Sequence, residues 1–167
     1  MLEVIPPYWE TWRQKDIRFV GGDPATKEGR AFLRSRSPLF FADRIRSPLH
    51  CRIHTGTLFA PTNNTSVNPA VLIAHGAQDP RVSRNESDQI YDALRASRTP
   101  VTYLVFEDEG HGFRRPPNKI AFFTEAEEFL ANCLGGRRQM AEDDDNEAAR
   151  GANMTIVHKE KNIKMKM

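Results

Sequence analysis

Two short apolar runs give the chain its clearest pattern. The first run, residues 71–75, is followed by Gly76, and the second run, residues 101–106, is preceded by Pro100. Runs of this length without polar alternation are typical of strands buried on both faces of a parallel sheet. The pattern therefore predicts two such strands.

Helical patterns follow each of these runs. Ser83 and Glu86 form an S-x-x-E capping box that starts a helix ending near Arg98. A second helix is predicted from about Lys119 to Leu134, where two consecutive glycines stop it. Its apolar stripe contains Phe122, Ala126, Phe129, Leu130 and Cys133. The order strand, helix, strand, helix predicts an α/β fold with parallel strands and flanking helices.

The remaining regions carry weaker patterns. With Asp23 as N-cap and Pro24 as the first helical residue, a short helix is predicted over 24–34, followed by a turn of helix at 40–43. Residues 50–70 are rich in Thr, Asn and Pro, and we interpret them as a surface loop with a short strand at 57–60. Residues 137–167 form a charged tail that we expect to be disordered or loosely attached.

Composition narrows the classes of function. The chain has 167 residues, room for one domain with a modest core, and its charges are mixed in sign with a formal net charge of +2. This balance does not favour a nucleic-acid partner. No apolar run approaches the roughly 20 residues of a membrane helix. The N-terminal residues lack the pattern of a signal peptide, and we expect a cytoplasmic location.

The cysteines and histidines do not predict a metal site or a cofactor. Cys51 and Cys133 lie far apart without a C-x-x-C motif, so we expect no disulfide between them. His50, Cys51 and His54 are ligand types, but a fourth ligand is missing from the cluster.

An aspartate and a histidine follow the two predicted strands. Asp79 lies about four residues beyond the first strand, and His111 about five beyond the second. Parallel strands end at the same edge of a sheet, so loops of this length can bring the two side chains together. An aspartate bound to one ring nitrogen leaves the other free to take a proton from a nucleophile.

Two other interpretations of these residues stay open. Asp79 could shape a turn before Pro80, with His111 an ordinary polar loop residue, and His75 is a further candidate base that more readily packs near the Asp79 loop. Gly110 and Gly112 flank His111 and would allow the backbone angles that its loop needs.

Several segments together resemble the C-terminal end of the catalytic domain of the prolyl oligopeptidase family of serine peptidases. They are "HGAQDPRV" (75–82), "ESDQIYDALRASRTPVTYLVFEDEGHGF" (86–113) and "FLANCLGG" (129–136). Two earlier segments, "IPPYWE" (5–10) and "GDPATKEGRAFLRSRSPLFFADRIRSPL" (22–49), resemble the stretch before it in acylaminoacyl and dipeptidyl peptidases. The match covers roughly residues 2–49 and 71–136. It implies the C-terminal portion of an α/β-hydrolase fold with an incomplete sheet, and a triad containing Asp79 and His111.

The chain departs from that family pattern in two ways. In this fold the triad order is Ser, Asp, His, and the serine belongs to a G-x-S-x-G motif that these 167 residues do not contain. Residues 50–70 also form an insert where family members pass directly into the strand. We therefore expect residues 1–136 to be a partial catalytic domain with an inserted loop at 50–70, followed by the tail at 137–167.

The expected function follows from this combination. The resemblance implies a serine-type peptidase acting on peptide substrates through an acyl-enzyme, with no cofactor, and inactive alone because the nucleophile is missing. The alternative is a catalytically inactive α/β-hydrolase remnant or an association module. A sheet without its upstream strands would expose an edge, so self-association through that edge is expected.

Overall fold

The computed structural model describes residues 7–44, 58–59, 70–134, 137–139, 147 and 149–159. The α-helices are α1 (Glu10–Val20), α2 (Lys27–Arg36), α3 (Arg84–Ala96) and α4 (Pro116–Leu134). The strands are β1 (Leu58–Phe59), β2 (Val71–Gly76), β3 (Val101–Phe106) and β4 (Met154–His158). Two 3₁₀ segments, Pro7–Trp9 and Pro38–Arg44, precede α1 and follow α2.

The strands form a single mixed sheet in the order β1-β2-β3-β4. β2 and β3 are parallel and in register from Val71 opposite Val101 to Gly76 opposite Phe106. β1 pairs antiparallel with the start of β2, and β4 pairs antiparallel with β3. The parallel pair with helices on both sides is a partial α/β-hydrolase fold, as the sequence pattern and the family resemblance predicted.

Every residue of β2 and β3 is buried, because their alternating side chains enter two separate cores. One core joins Leu72, Leu104 and Phe106 to the apolar face of α4. The other joins Ile73 and Tyr103 to Leu94 of α3. This two-sided burial explains why the strand sequences show no polar alternation.

The predicted elements form with small changes at their ends. The prediction that Asp23 is the N-cap of the helix expected over 24–34 is wrong. The Asp23 side chain accepts a hydrogen bond from the Ala25 N–H at 2.9 Å, before the helix starts. Thr26 caps α2 instead, accepting from the Gly29 N–H at 2.9 Å. Helix α4 begins at Pro116 and not near Lys119, because a proline is tolerated in the first turn, where its missing N–H has no helical partner.

Part of the predicted insert is visible as a strand. A strand was predicted at 57–60, and Leu58 and Phe59 form β1 opposite Leu72 and Val71 of β2. Apart from these two residues and Ala70, the 50–70 insert lies outside the described residues.

The expectation of a disordered tail is wrong for residues 154–158. These residues form β4, which contains the consecutive β-branched residues Thr155, Ile156 and Val157. β4 completes hydrogen bonds along the otherwise unpaired side of β3. Lys159 then binds Glu125 of α4 through an ion pair of 2.8 Å, so both a strand partner and a helix hold this segment.

Candidate active site

Asp79 and His111 meet at the C-terminal edge of the parallel strands. Asp79 follows β2 by three residues and His111 follows β3 by five, and the Asp79 Oδ2 lies 2.8 Å from the His111 Nδ1. The Asp79 side chain is 4% exposed, whereas the His111 side chain is 29% exposed. The predicted juxtaposition is confirmed, and the imidazole is the more accessible member of the pair.

The carboxylate of Asp79 is held from two sides. Its Oδ1 accepts hydrogen bonds from the backbone N–H groups of Arg81 at 2.7 Å and Val82 at 3.0 Å, while Oδ2 accepts from His111. Burial raises the pKa of Asp79, but these hydrogen bonds outweigh it and leave the pKa below its ordinary value. Asp79 is therefore an ionised acceptor, which requires the His111 proton on Nδ1.

The two loops that carry the pair are joined at their bases. The Gln78 N–H donates to the Glu109 carbonyl at 2.9 Å, and the Gln78 Nε2 donates to the Glu107 carbonyl at 3.1 Å. A Cβ added to Gly76 would lie 2.3 Å from the Gly110 carbonyl oxygen. The loops approach so closely that only glycine fits at the end of β2.

The His111 loop has its own conformational requirement. Gly112 has a φ of 106°, which residues with a side chain rarely adopt, whereas the structure gives Gly110 no positive φ. The prediction that both glycines supply special backbone angles is thus confirmed for Gly112 only. The next residue, Phe113, packs its ring 4.4 Å from that of Phe106 and 5.3 Å from that of Phe122, which anchors the far side of the loop.

A buried polar network that the sequence analysis missed supports the same loop. Glu109 accepts hydrogen bonds from the backbone N–H groups of Arg114 at 2.9 Å and Arg115 at 2.8 Å. Asn118, 1% exposed, donates to Glu109 at 2.9 Å and to Asp108 at 2.9 Å. The available signal was the acidic run at 107–109 followed by an asparagine after two prolines, but only the fold shows that they meet.

The hydrogen bonds of this network favour the ionised form of Glu109. Burial raises its pKa, but the hydrogen bonds from Arg114, Asn118 and Arg115 outweigh that effect, so the pKa of Glu109 lies below its ordinary value. As an acceptor for two successive backbone N–H groups, Glu109 fixes the path of the chain directly after His111.

His75 does not join the pair. It is buried at the end of β2, where its Nδ1 lies 2.9 Å from the Ser87 Oγ of α3, and burial lowers its pKa. Its Nε2 has no hydrogen-bond partner among the described residues. His75 therefore ties β2 to α3 below the Asp79 loop, as one of the open interpretations expected.

A cavity of about 550 Å³ opens beside His111. Pro80 and Arg81 of the Asp79 loop line one part, and residues 108–112 with Arg114 and Arg115 line the rest. The imidazole thus borders a space in which a reacting group could approach it.

Comparison with known proteins decides the family. A family model described as "Prolyl oligopeptidase family" matches residues 54–137, half of the chain. The chain belongs to the prolyl oligopeptidase family. This membership places it among serine peptidases and agrees with the partial α/β-hydrolase fold and with the resemblance in the sequence motifs.

Two curated relatives of this family are closely similar over most of the chain. "Dipeptidyl peptidase family member 6" of Caenorhabditis elegans is 42% identical over 139 residues, which is 83% of this chain and 16% of the relative. "Dipeptidyl aminopeptidase BIII" of Pseudoxanthomonas mexicana is 43% identical over 139 residues, 83% of this chain and 17% of the relative. The chain therefore spans about a sixth of the length of these two relatives.

The other residues considered from the sequence do not enter this site. Cys133 is a free, buried thiol on α4, and His50, Cys51 and His54 lie outside the described residues. Within the described ranges, no group of three or more His, Cys, Asp or Glu side chains could hold a metal ion. The helices of the described part include none with the length and hydropathy of a membrane span.

Proposed function

We propose that this chain carries the aspartate and histidine of a serine-peptidase triad. The observation that supports the proposal is the 2.8 Å contact between the Asp79 Oδ2 and the His111 Nδ1. Since Asp79 accepts the Nδ1 proton, Nε2 carries the lone pair, and no hydrogen bond to Nε2 is found among the described residues. His111 has the tautomer and the access of a general base.

The reaction would be hydrolysis of a peptide bond through an acyl-enzyme. A serine hydroxyl attacks the carbonyl carbon while the His111 Nε2 takes the hydroxyl proton. The C–N bond then breaks, and His111 gives that proton to the leaving amine. Water repeats the sequence to release the acid, and Asp79 stabilises the imidazolium in both halves.

The nucleophile of this reaction is not among the 167 residues. No G-x-S-x-G motif occurs, so a serine elbow must come from another polypeptide or from a longer form of this protein. Without the attacking oxygen, His111 has no proton to take. We therefore propose that the 167-residue chain alone has no peptidase activity, and that its role in a complete enzyme is to supply the base.

The test combines a fluorophosphonate probe with a dipeptidyl substrate. The 167-residue protein alone should neither react with the probe nor cleave the substrate. A form joined to an upstream serine-elbow segment, or mixed with a fragment carrying one, should do both.

Variants of the active form then separate a catalytic role from a structural one. His111→Ala should abolish turnover, and Asp79→Asn should reduce it by about 10⁴-fold, because asparagine favours the wrong tautomer. Asp92→Asn, an exposed change on α3, serves as the control. Turnover that survives His111→Ala would overturn the proposal, and labelling of a serine in the 167-residue protein would overturn its inactivity. A folded, complemented protein that never reacts would favour an inactive remnant instead.

A further inference from the structure

The cavity beside His111 is lined by charged side chains that the proposed reaction does not use. Three arginines line it, Arg81, Arg114 and Arg115, together with the two acidic residues Asp108 and Glu109. Proton transfer between a serine, a histidine and an aspartate needs no arginine. The arginines therefore bear on what the cavity binds, and their partners decide which of them are available.

The two acidic residues of the cavity already have partners. Glu109 is 3% exposed, and its carboxylate accepts from two backbone N–H groups and from Asn118. The Asp108 Oδ2 lies 3.1 Å from the Arg115 Nε, and the Asp108 Oδ1 accepts from Asn118 at 2.9 Å. These contacts pair Arg115 with Asp108 and keep the Glu109 carboxylate inside its own loop.

The side chains of Arg81 and Arg114 have no such partner. Both residues are exposed, and within the described part of the chain neither guanidinium group makes a hydrogen bond or an ion pair. Their backbone N–H groups, in contrast, donate to Asp79 at 2.7 Å and to Glu109 at 2.9 Å. The backbone of each arginine is thus held beside His111 while its cation stays available to a ligand.

A guanidinium group in a concave site favours a planar anion. Its paired N–H groups match the two oxygens of a carboxylate, and ligand sites commonly use a few such groups to orient what they bind. Peptides carry carboxylates on acidic side chains and at the C-terminus. Asp79 would repel an anion only weakly, since its side chain is 4% exposed and its oxygens already accept from His111 and two backbone N–H groups.

We propose that this cavity binds a carboxylate of the peptide substrate and that Arg114 determines the preference for it. Arg81 adds positive charge from the Asp79 loop. The inference rests on the proposed function, because it takes the ligand to be a peptide. It adds a substrate class that Asp79 and His111 do not define, namely peptides with an acidic side chain or a free C-terminus close to the bond that is cleaved.

NMR titration of the 167-residue protein tests binding without any turnover. The probes are acetyl-Ala-Glu-Ala-amide, its neutral counterpart acetyl-Ala-Gln-Ala-amide, and acetyl-Ala-Ala-Ala with a free C-terminal carboxylate. The ring signals of His111 report binding in the cavity. At least one carboxylate peptide should bind about tenfold more tightly than the neutral peptide, because charge-assisted hydrogen bonds are the stronger ones. Which peptide binds distinguishes an acidic side chain from a C-terminus, and added salt should weaken the preference.

Arg114→Gln is the decisive variant. It keeps the backbone N–H that donates to Glu109 and changes only an exposed side chain, and the hydrogen-bonded His111 Nδ1 proton signal checks that the site is intact. The preference should fall to about twofold or less. Arg114→Lys should restore part of it, since lysine keeps the charge without the paired N–H groups. Arg18→Gln, an exposed change on α1, is the matched control and should leave the preference unchanged.

The inference is wrong if no peptide shifts the His111 signals, or if the neutral peptide binds as tightly as both carboxylate peptides. It is also wrong if Arg114→Gln keeps the preference with an intact His111 signal, or if Arg18→Gln abolishes it equally. None of these measurements needs a serine nucleophile. Carboxylate binding in a complemented protein that never turns over would contradict the proposed function alone, and turnover that depends on His111 without this preference would contradict the present inference alone.

Discussion

Replacing Gly76 with alanine should separate the two loops that carry Asp79 and His111. The new Cβ would lie 2.3 Å from the Gly110 carbonyl oxygen and 2.6 Å from that of Glu109, closer than real Cβ contacts. Both obstacles are backbone atoms, so no side-chain rotation relieves the clash. We expect a loss of about 3 kcal/mol in the free energy of unfolding, at the upper end of overpacking costs.

Urea denaturation of the 167-residue protein measures this loss. With a typical urea dependence of about 1–3 kcal/mol per M for a small protein, the unfolding midpoint should fall by about 1–3 M. NMR should also show weakening of the hydrogen-bonded His111 Nδ1 proton signal, because the His111 loop moves away from Asp79. Because the same contact holds both loops, the stability and the geometry of the site should change together.

Gly110→Ala is the matched control for this experiment. A Cβ at Gly110, in the His111 loop, would lie 3.5 Å from the Gln78 carbonyl oxygen of the Asp79 loop, which is an ordinary van der Waals contact. Its midpoint should stay close to that of the wild type. If Gly76→Ala unfolds at the wild-type midpoint with an intact His111 signal, the close approach of the loops does not limit this position and the reasoning is wrong.

Three further predictions concern buried groups. Because the pKa of Glu109 is lowered in the folded state, its ionised carboxylate stabilises the fold at pH values above its ordinary pKa of 4.5, and this stabilisation is lost as the pH falls through the lower pKa of the folded state. Glu109→Gln should therefore flatten the acid limb of a profile of unfolding free energy against pH, and an unchanged limb would contradict this. Asn118→Ala should lower the free energy of unfolding measured in urea by about 2–3 kcal/mol, because it leaves buried hydrogen-bond partners unpaired. Asn132→Ala, at an exposed position on the same helix, should lower it little, and equal losses would contradict the role of the network. Burial raises the pKa of Cys133 to about 11, so mass spectrometry should find it alkylated at neutral pH only after unfolding, and rapid native alkylation would be inconsistent with this burial.

The elements that form by local pattern could be predicted from the sequence. β3 has the predicted bounds, and β2 extends the prediction by one residue, because continuous apolar runs fit strands with a core on each side. Ser83 caps α3 as predicted, with its Oγ accepting from the Asn85 N–H at 3.3 Å, and α4 ends at Leu134 before the two glycines of the sequence pattern. The meeting of Asp79 with His111 followed from the shared edge of parallel strands.

Features that depend on distant partners could not be predicted in this way. The tail strand β4 is five residues within a charged segment, and it forms because β3 offers an unpaired side. Helix α1 buries no residue and carries no strong apolar stripe, so no pattern identified it. Glu109 and Asn118 look like surface residues in the sequence, and only the packing of α4 against the His111 loop buries them.

Asn118 makes the far C-terminal segment part of the scaffold of the site. One amide side chain binds Glu109 beside His111 and the backbone of Asn153 before β4, over 35 positions of sequence. A version of the protein shortened before Asn153 would leave the Asn118 oxygen without this donor and would remove the strand beside β3. The useful C-terminal boundary therefore lies beyond Lys159, which anchors the segment to α4, and an affinity tag belongs after that point.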